Sequence, residues 1–225
     1  MRLAGRRVFA LQTVRIWFQK TDSAKFISHL DLSRCMARAL RRAHVPAWYT
    51  EGFSPHLFVT FALPLSLGQE GEHESMDIRL PEDYLLAQAA DALGRTLPQG
   101  LRVLGASLPE QKPGDVTAAR YRMEFCGEGA AEAVCGLLGE AELPVVKKTK
   151  KGEKQLDLQQ WFSAAQVTEN AQGITLWLDL PAGSSESVNP ALFADLVLQK
   201  NSKIQIRIIR ETLLCQTADG MKEFS

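Results

Sequence analysis

Residues 14–43 read VRIWFQKTDSAKFISHLDLSRCMARALRRA, and this stretch contains two different hydrophobic periods. Apolar side chains alternate from Val14 to Phe18, which is the two-residue period of a half-buried strand. A capping box follows, in which Ser28 caps a helix and Asp31 reaches back to it. The apolar residues beyond the box recur every three or four positions, as in an amphipathic helix. The stretch therefore predicts a strand followed by a helix that ends at about residue 43.

Further strands and a second helix complete the first half of the chain. Strands are predicted from Leu57 to Leu63, around Ile78, and from Leu101 to Leu104. Pro81 starts the second helix, since proline is favoured in a first helical turn. The resulting order, β-α-β-β-α-β, is that of the ferredoxin-like unit and predicts an α+β fold.

The pattern restarts after a linker. Residues 105–118 are rich in proline and glycine, and strand and helix signals resume at Tyr121. We therefore predict two tandem ferredoxin-like domains, over residues 11–107 and 118–215, of which the second is elaborated. A polar tail over residues 216–225 follows.

The composition excludes several classes of protein. The 225 residues include 26 basic and 26 acidic ones, so a globally basic nucleic-acid binder is excluded, whereas local charge segregation is not. No run approaches the roughly 18 consecutive apolar residues that a membrane span needs. The cysteines lack the close pairs that metal sites and iron–sulfur clusters use: Cys35, Cys126, Cys135 and Cys215. We expect a soluble, cytoplasmic protein with no metal and no cofactor of its own.

The predicted first helix carries a one-sided arginine surface, which we call the Arg face. At 100° per residue, its members occupy an arc of roughly 100° opposite the apolar side: Arg34, Arg38, Arg41 and Arg42. Asp31 is the only acidic residue between Ser28 and His44. An ordinary solvated helix surface mixes both signs of charge through i,i+4 pairs, whereas this one does not. Because guanidinium forks match phosphate oxygens, the Arg face predicts contact with a polyanion. A plain solvated helix surface is the alternative.

A second basic cluster lies on a predicted hairpin around Gly152, opposed only by Glu153. Its members are Lys147, Lys148, Lys150, Lys151 and Lys154. A flexible basic hairpin suits non-specific phosphate contact, whose affinity falls as the salt concentration rises. The alternative is a solubilising hairpin that keeps an edge strand from pairing with another chain.

Arg15 and Trp17 are predicted to lie on the open face of the first sheet, with Asp77 and Arg79. Aromatic and basic residues on central strands are how single-stranded RNA stacks on a four-stranded sheet. In a tandem fold the same face can instead pack on the second domain, and this is the interpretation that we prefer.

Three residues near the first helix are candidates for acid–base chemistry: His29, Asp31 and His56. The helical wheel points His29 toward the sheet, which favours a buried structural histidine. His56 lies in a Gly/Pro-rich loop and could contact a phosphate. His73 lies among acidic residues in a predicted turn that lacks any known metal-loop spacing. We therefore expect no catalytic motif in the chain, and regard an enzymatic role as the less favoured one.

Several motifs resemble the radical SAM-linked protein family, a bacterial domain family of unresolved function. They are FISHLDLSR at residues 26–34, RALRRA at 38–43, GFSPH at 52–56 and LPLSLG at 63–68. The resemblance covers roughly residues 14–214 and departs from the family pattern at Ser54, Gly71 and Ser75. It implies association with a radical SAM protein, encoded beside this chain or fused to it. The iron–sulfur cluster and SAM would then belong to the partner, because this chain lacks CxxxCxxC.

These observations favour an RNA-binding or substrate-presenting accessory protein that works with a radical SAM enzyme, with no DNA preference and no membrane contact. One alternative is a metal-independent RNA-processing or RNA-modifying enzyme, since the tandem plan is similar to that of the CRISPR repeat-processing endoribonucleases. Those enzymes carry a glycine-rich loop near the C-terminus that is not found here. The other alternative is a protein–protein adaptor that does not bind RNA.

Overall fold

The structure is a computed structural model that describes residues 10–149, 152–183 and 186–225. It is a mixed α/β fold of mostly antiparallel strands, and it divides into two compact units. The first unit comprises the described residues up to Leu67, His73–Pro113 and Ser225. The second comprises the described residues of Gly68–Glu72 and Gly114–Phe224. Among all these residues, no helix has the length and apolarity that crossing a membrane requires.

The first unit holds two helices against a sheet. Its elements are β1 (Leu11–Lys20), α1 (His29–Arg42), β2 (Val59–Phe61), β3 (Glu70–Pro81), α2 (Leu86–Gly94) and β4 (Leu101–Ser107). The strand order is β4-β1-β3-β2, and both outer pairings, β4 with β1 and β2 with β3, are antiparallel. A short 3₁₀ helix, Asp22–Phe26, joins β1 to α1.

Helix α1 begins and ends where its sequence requires. The Ser28 hydroxyl accepts a hydrogen bond from the Asp31 backbone N–H at 3.2 Å, which satisfies one of the unpaired donors of the first turn. Beyond the last turn, His44 adopts a left-handed φ of 54°, which stops the helix. The buried side of α1 packs on the sheet through Leu32, Met36, Ala39 and Leu40. Burial of each leucine or methionine contributes about 1.5–3 kcal/mol, so this side orients the helix and leaves the arginines outside.

The second unit contains more elements than the first. They are β5 (Val116–Cys126), α3 (Ala130–Leu138), β6 (Pro144–Thr149), β7 (Gly152–Asp157), α4 (Gln159–Phe162), β8 (Gln166–Asn170), β9 (Gly173–Pro181), α5 (Ala191–Lys200), β10 (Gln205–Thr217) and β11 (Gly220–Glu223). Its main sheet has the order β10-β5-β9-β8 with antiparallel neighbours. Strand β11 pairs with β10, and Glu70–Gly71 pair in parallel with Ile209–Arg210. Strands β6 and β7 form a separate hairpin.

Three phenylalanines from different elements meet in the core of the second unit. Phe162 of α4 stacks on Phe193 of α5 at 4.2 Å between ring centroids, and Phe125 of β5 meets Phe193 edge-on at 6.0 Å. Beside them β9 begins at Gly173, where a Cβ atom would lie 1.9 Å from the Phe125 carbonyl oxygen. Only glycine allows β9 to approach β5 this closely.

The prediction of a polar tail over residues 216–225 is wrong. Strand β10 extends to Thr217, and β11 folds back on it through a two-residue turn. Phe224 is 1% exposed, and its N–H donates to the Leu213 carbonyl at 2.9 Å. One buried phenylalanine in a polar run leaves no periodic signal, because backbone pairing rather than an apolar pattern holds β11 in place.

The acidic turn predicted before residue 76 is also wrong, because β3 already begins at Glu70. His73 therefore lies within a strand. Backbone pairing of Glu70 with Ile209 of β10, far away in sequence, sets this start. Local turn residues carry no information about such a partner.

Candidate nucleic-acid interface

Helix α1 presents the whole Arg face to solvent, with all four side chains exposed. Its one acidic neighbour is Asp31, whose carboxylate lies 3.3 Å from the Arg34 guanidinium, both side chains being more than half exposed. The Ser28 hydroxyl donates to the same carboxylate at 2.7 Å. This hydrogen bond, followed by Arg34 and Arg38, lowers the pKa of Asp31 below its ordinary value. Asp31 is therefore ionised at neutral pH and compensates one of the four positive charges.

The other three arginines of the Arg face either donate hydrogen bonds to neutral acceptors or make no hydrogen bond with a described residue. Arg41 Nε donates to the Tyr49 hydroxyl at 3.3 Å, and Arg42 Nη2 donates to the Thr96 carbonyl at 3.0 Å. The Arg38 side chain makes no hydrogen bond or ion pair with any residue that the structure describes. Neutral acceptors orient a guanidinium without cancelling its charge, so the Arg face keeps a net charge of three.

An exposed loop of residues 49–57, which we call the aromatic loop, lies beside the Arg face through the contact of Arg41 with Tyr49. Tyr49 and Leu57 form a β-bridge at its base. Inside the bridge, the Thr50 N–H donates to the His56 carbonyl at 2.8 Å. The tip carries Phe53, whose side chain is completely exposed. A large aromatic ring without packing is costly in water, so the tip has the character of a contact residue.

Arg15 is buried, which corrects its prediction as a nucleic-acid contact. Its side chain is 0% exposed and forms a two-bond ion pair with Asp77, at 2.8 and 2.9 Å. The remaining donors reach the Ser225 and Gln111 backbone oxygens at 2.7 and 2.9 Å. Every direction in which Arg15 could contact a phosphate is thus occupied by the protein, and its role is structural.

Trp17, in contrast, is half-buried and makes two contacts within the protein. Its ring stacks on His73, with centroids 4.4 Å apart and an interplanar angle of 2°. Its indole N–H donates to the Ser107 hydroxyl at 3.0 Å. One ring face and the polar edge are therefore engaged within the first unit, and contact of the rest of the ring with a nucleic acid stays a prediction.

Arg79 is an exposed cation on this side of the first sheet. Its guanidinium lies over Trp48 and Phe58, 5.2 and 4.9 Å from the two ring centroids. Such cation–π contacts are worth about 0.5–1 kcal/mol at exposed sites. They fix Arg79 against the unit without neutralising its charge.

The predicted lysine hairpin is β6 and β7, in the second unit. Lys147 and Lys154 are cross-strand neighbours, and the Lys147 ammonium donates to the Ser187 carbonyl. Lys150 and Lys151 lie outside the described residues, as does the side chain of Lys148. The contribution of this hairpin to anion binding stays a prediction.

The three candidates for acid–base chemistry do not converge on one site. His29 is exposed rather than buried, and its ring meets Phe61 edge-on at 5.0 Å, which corrects the helical-wheel prediction. His29 is the first residue of the helix. Its side chain has the helical phase of the sheet-facing side, but the sheet does not cover this end of the helix. Asp31 is held by the helix cap, whereas His56 Nδ1 lies 3.0 Å from the Thr50 hydroxyl inside the aromatic loop. No hydrogen bond links the three residues to one another.

The residues of this interface lie in the part of the chain that matches a known protein family. A family model described as an uncharacterized protein conserved in bacteria (DUF2344) matches residues 13–190. The chain belongs to this family. The DUF2344 match includes the Arg face, the aromatic loop and the lysine hairpin. No curated protein matches the chain.

Among solved structures, the chain is similar to one described as the crystal structure of an unknown protein from Galdieria sulphuraria. The sequence identity is 14% and the TM-score is 0.27, over 88% of this chain and 98% of that one.

The aromatic loop is the part of this DUF2344 surface that the sequence predictions missed. Tyr49 precedes a Gly/Pro-rich stretch and Phe53 lies within it, and no local pattern shows whether such aromatics turn inward or outward. The available signal was the concentration of aromatic residues in a loop that directly follows a helix of one charge sign.

Proposed function

We propose that this DUF2344 protein binds RNA through the Arg face and the aromatic loop, as an accessory subunit that presents the RNA to a radical SAM enzyme. The observation that carries the proposal is the exposure of four arginines on one side of α1 against a single carboxylate. It favours a partner that is anionic, and phosphate is an anion whose oxygens match a guanidinium fork.

The spacing of the arginines supports a polyanion rather than a plain solvated surface. Arg34 and Arg38, and Arg38 and Arg42, are i,i+4 neighbours of like charge, an arrangement that costs a helix about 0.2–0.5 kcal/mol per pair. A phosphate chain along the helix converts this repulsion into attraction and releases its condensed counterions.

The aromatic loop supports a single strand rather than a duplex. Base stacking on an exposed aromatic ring is worth about 1–3 kcal/mol per base and requires bases that are not paired. Phe53 offers such a ring, and Tyr49 offers a second one next to Arg41. A ligand that places phosphates on the Arg face and unpaired bases on the aromatic loop would be an RNA loop or a single-stranded RNA end.

The association with a radical SAM enzyme rests on the sequence motifs of α1 and the aromatic loop. In this proposal the partner carries the iron–sulfur cluster and SAM, and this chain positions the substrate. We propose that the protein is cytoplasmic. The four cysteines agree with this location, since all of them lie in the described residues and form no disulfide.

We also propose that both units are ferredoxin-like domains, over residues 11–107 and 118–215. The orders β4-β1-β3-β2 and β10-β5-β9-β8 both place the last strand beside the first and the second strand at the far edge. In this scheme the β6–β7 hairpin and α4 are the elaboration of the second domain.

Binding of a labelled single-stranded RNA, followed by fluorescence anisotropy across a salt series, tests the function. We expect log K to fall with log salt at roughly 0.7 per phosphate contact. The triple variant Arg34→Gln, Arg38→Gln, Arg41→Gln should reduce that slope by about two units. Lys203→Gln, which removes an exposed cation of the second unit, serves as the control and should leave the slope unchanged.

The triple variant and a further variant, His29→Ala, separate the alternatives. A flat salt dependence in the wild type, together with loss of co-purification of the radical SAM enzyme in the triple variant, would favour an adaptor. Metal-independent RNA cleavage that is lost in His29→Ala would favour the RNA-processing enzyme.

A further inference from the structure

A cavity of about 720 Å³ opens on the second unit, at the edge formed by β8 and β9. Its walls include Trp161, Trp177, Gln166, Thr168, Arg120 and Asp179. This volume lies in the range of small-molecule sites, which combine aromatic walls with a few polar groups that point inward. None of these residues belongs to the Arg face or to the aromatic loop.

The two tryptophans are held on the cavity side by their neighbours in the chain. Trp177 alternates with Leu176 and Leu178, which are buried on the other side of β9. Trp161 directly precedes Phe162, whose ring is anchored in the core against Phe193. Both indoles are half-buried, so each offers ring surface on a rigid element.

The polar groups of the cavity have unused hydrogen-bonding capacity. The indole N–H groups of Trp161 and Trp177, the Gln166 amide and the Thr168 hydroxyl make no hydrogen bond with any described residue. Gln166 lies directly across from Trp177 in the β8–β9 register. A ligand here would find a flat ring and, beside it, donors and acceptors that are free to bind it.

Charge at the cavity argues against a phosphate. Arg120 is bound to Asp179 by two hydrogen bonds, at 2.9 and 3.1 Å, so its fork is already occupied by a carboxylate. The hydrogen bond to Asp179, together with the charges of Asp179, Glu223 and Glu211, raises the pKa of Arg120. The favoured ligand therefore has flat faces, donors and acceptors on its edge, and no negative charge at the cavity.

We infer that this cavity binds one unpaired nucleobase, with its ring on the tryptophans and its edge on the Gln166 amide and the Asp179 carboxylate. The amide supplies both a donor and an acceptor, and the carboxylate accepts from an exocyclic amine. The inference rests on the second unit alone and does not depend on RNA binding by the Arg face. A free nucleoside and an unpaired nucleotide of an RNA strand present the same chemistry.

Isothermal titration of the full chain with adenosine, guanosine, cytidine and uridine tests the inference, since nucleosides carry no phosphate. We expect at least one to bind with a Kd of roughly 10 mM or tighter. Trp177→Ala should weaken this binding about tenfold or more, and Trp177→Phe, which keeps a flat ring, should retain most of it. Trp48→Phe, in the first unit, is the control and should bind as the wild type does. Thermal unfolding of each variant establishes that it is folded.

Competition with a short single-stranded RNA distinguishes the two sources. If the RNA displaces the nucleoside and Trp177→Ala weakens both, the base is delivered by RNA. If the RNA does not compete, the ligand is a free nucleoside. The inference is overturned if no nucleoside binds, if Trp177→Ala binds unchanged, or if glucose binds as well as the nucleosides. Because Arg38→Gln leaves the cavity intact, normal nucleoside binding by that variant separates this inference from the proposed function.

Discussion

At the scale of single residues, Arg15 shows how burial changes what a charged side chain can do. Its guanidinium is enclosed by Asp77, Gln111 and Ser225, three residues that are remote from it in sequence. A buried ion pair contributes little net stability compared with apolar packing, but removing one partner leaves the other charge buried and uncompensated. Arg15 is therefore a residue on which the folded state depends strongly.

We predict that Arg15→Met lowers the free energy of unfolding by about 3–5 kcal/mol, because Asp77 loses its counter-charge inside the protein. Urea denaturation monitored by circular dichroism measures the change. Arg102→Met serves as the control, since Arg102 is exposed and, among the described residues, donates only to Gln19; it should shift stability by no more than about 0.5 kcal/mol. Arg15→Met combined with Asp77→Leu should recover part of the loss. A loss below about 1 kcal/mol in the single variant would contradict the structural role.

At the scale of one element, α1 combines a buried apolar side with a cationic outer side. The two sides are coupled at the first turn, where the Ser28 cap holds the carboxylate that partly neutralises the Arg face. The carboxylate also lies near the positive end of the helix dipole, which favours its ionised form. The cap thus sets both the start of the helix and the net charge of its surface.

This coupling predicts a specific pH response. Because folding lowers the pKa of Asp31, its stabilising effect is present above the unfolded-state pKa and is lost as the pH falls through the folded-state value. Ser28→Ala should raise the pKa of Asp31. NMR titration of the Asp31 carboxyl carbon measures this change.

Asp31→Asn should strengthen RNA binding at neutral pH, since it removes the negative charge beside the Arg face. Unchanged binding would show that Asp31 does not influence the interface.

At the scale of the whole molecule, the two compact units do not follow the chain in two uninterrupted pieces. Gly68–Glu72 belong to the second unit, although the residues on either side of them belong to the first. Within the second unit, Glu70 is 3% exposed and accepts a hydrogen bond from Arg207 at 2.9 Å. Arg122 likewise pairs with Glu72. The second unit is therefore incomplete without residues contributed by the N-terminal half.

A chain divided between Pro113 and Gly114 should consequently fail to give two independently stable fragments. We expect the 114–225 fragment to unfold at a lower denaturant concentration than the intact protein, because Arg122 and Arg207 lose carboxylate partners. Co-expression with the 1–113 fragment should restore stability, and size-exclusion chromatography should then show a complex. An isolated 114–225 fragment that unfolds cooperatively at the denaturant midpoint of the intact protein would refute this dependence.

The sequence by itself determined the features that depend on neighbours within a few positions. The helix α1, its Ser28 cap and its Arg face follow from a 3.6-residue period that every member of the helix shares, and the structure shows them as predicted. The strands with alternating side chains, β1, β5 and β9, are present for the same reason. Contacts of this kind span one or two turns or pleats, so the local pattern contains all the information they need.

Only the tertiary structure decided the features that depend on distant partners. Arg15 and Asp77 are 62 residues apart, so no local pattern distinguishes a buried ion pair from an open binding surface. The strand at the end of the chain, the exposure of Phe53 and the cavity between Trp161 and Trp177 likewise arise from which elements lie side by side. The physical reason is that burial and backbone pairing are properties of the assembled sheet, and a residue acquires them from neighbours that the chain brings together only on folding.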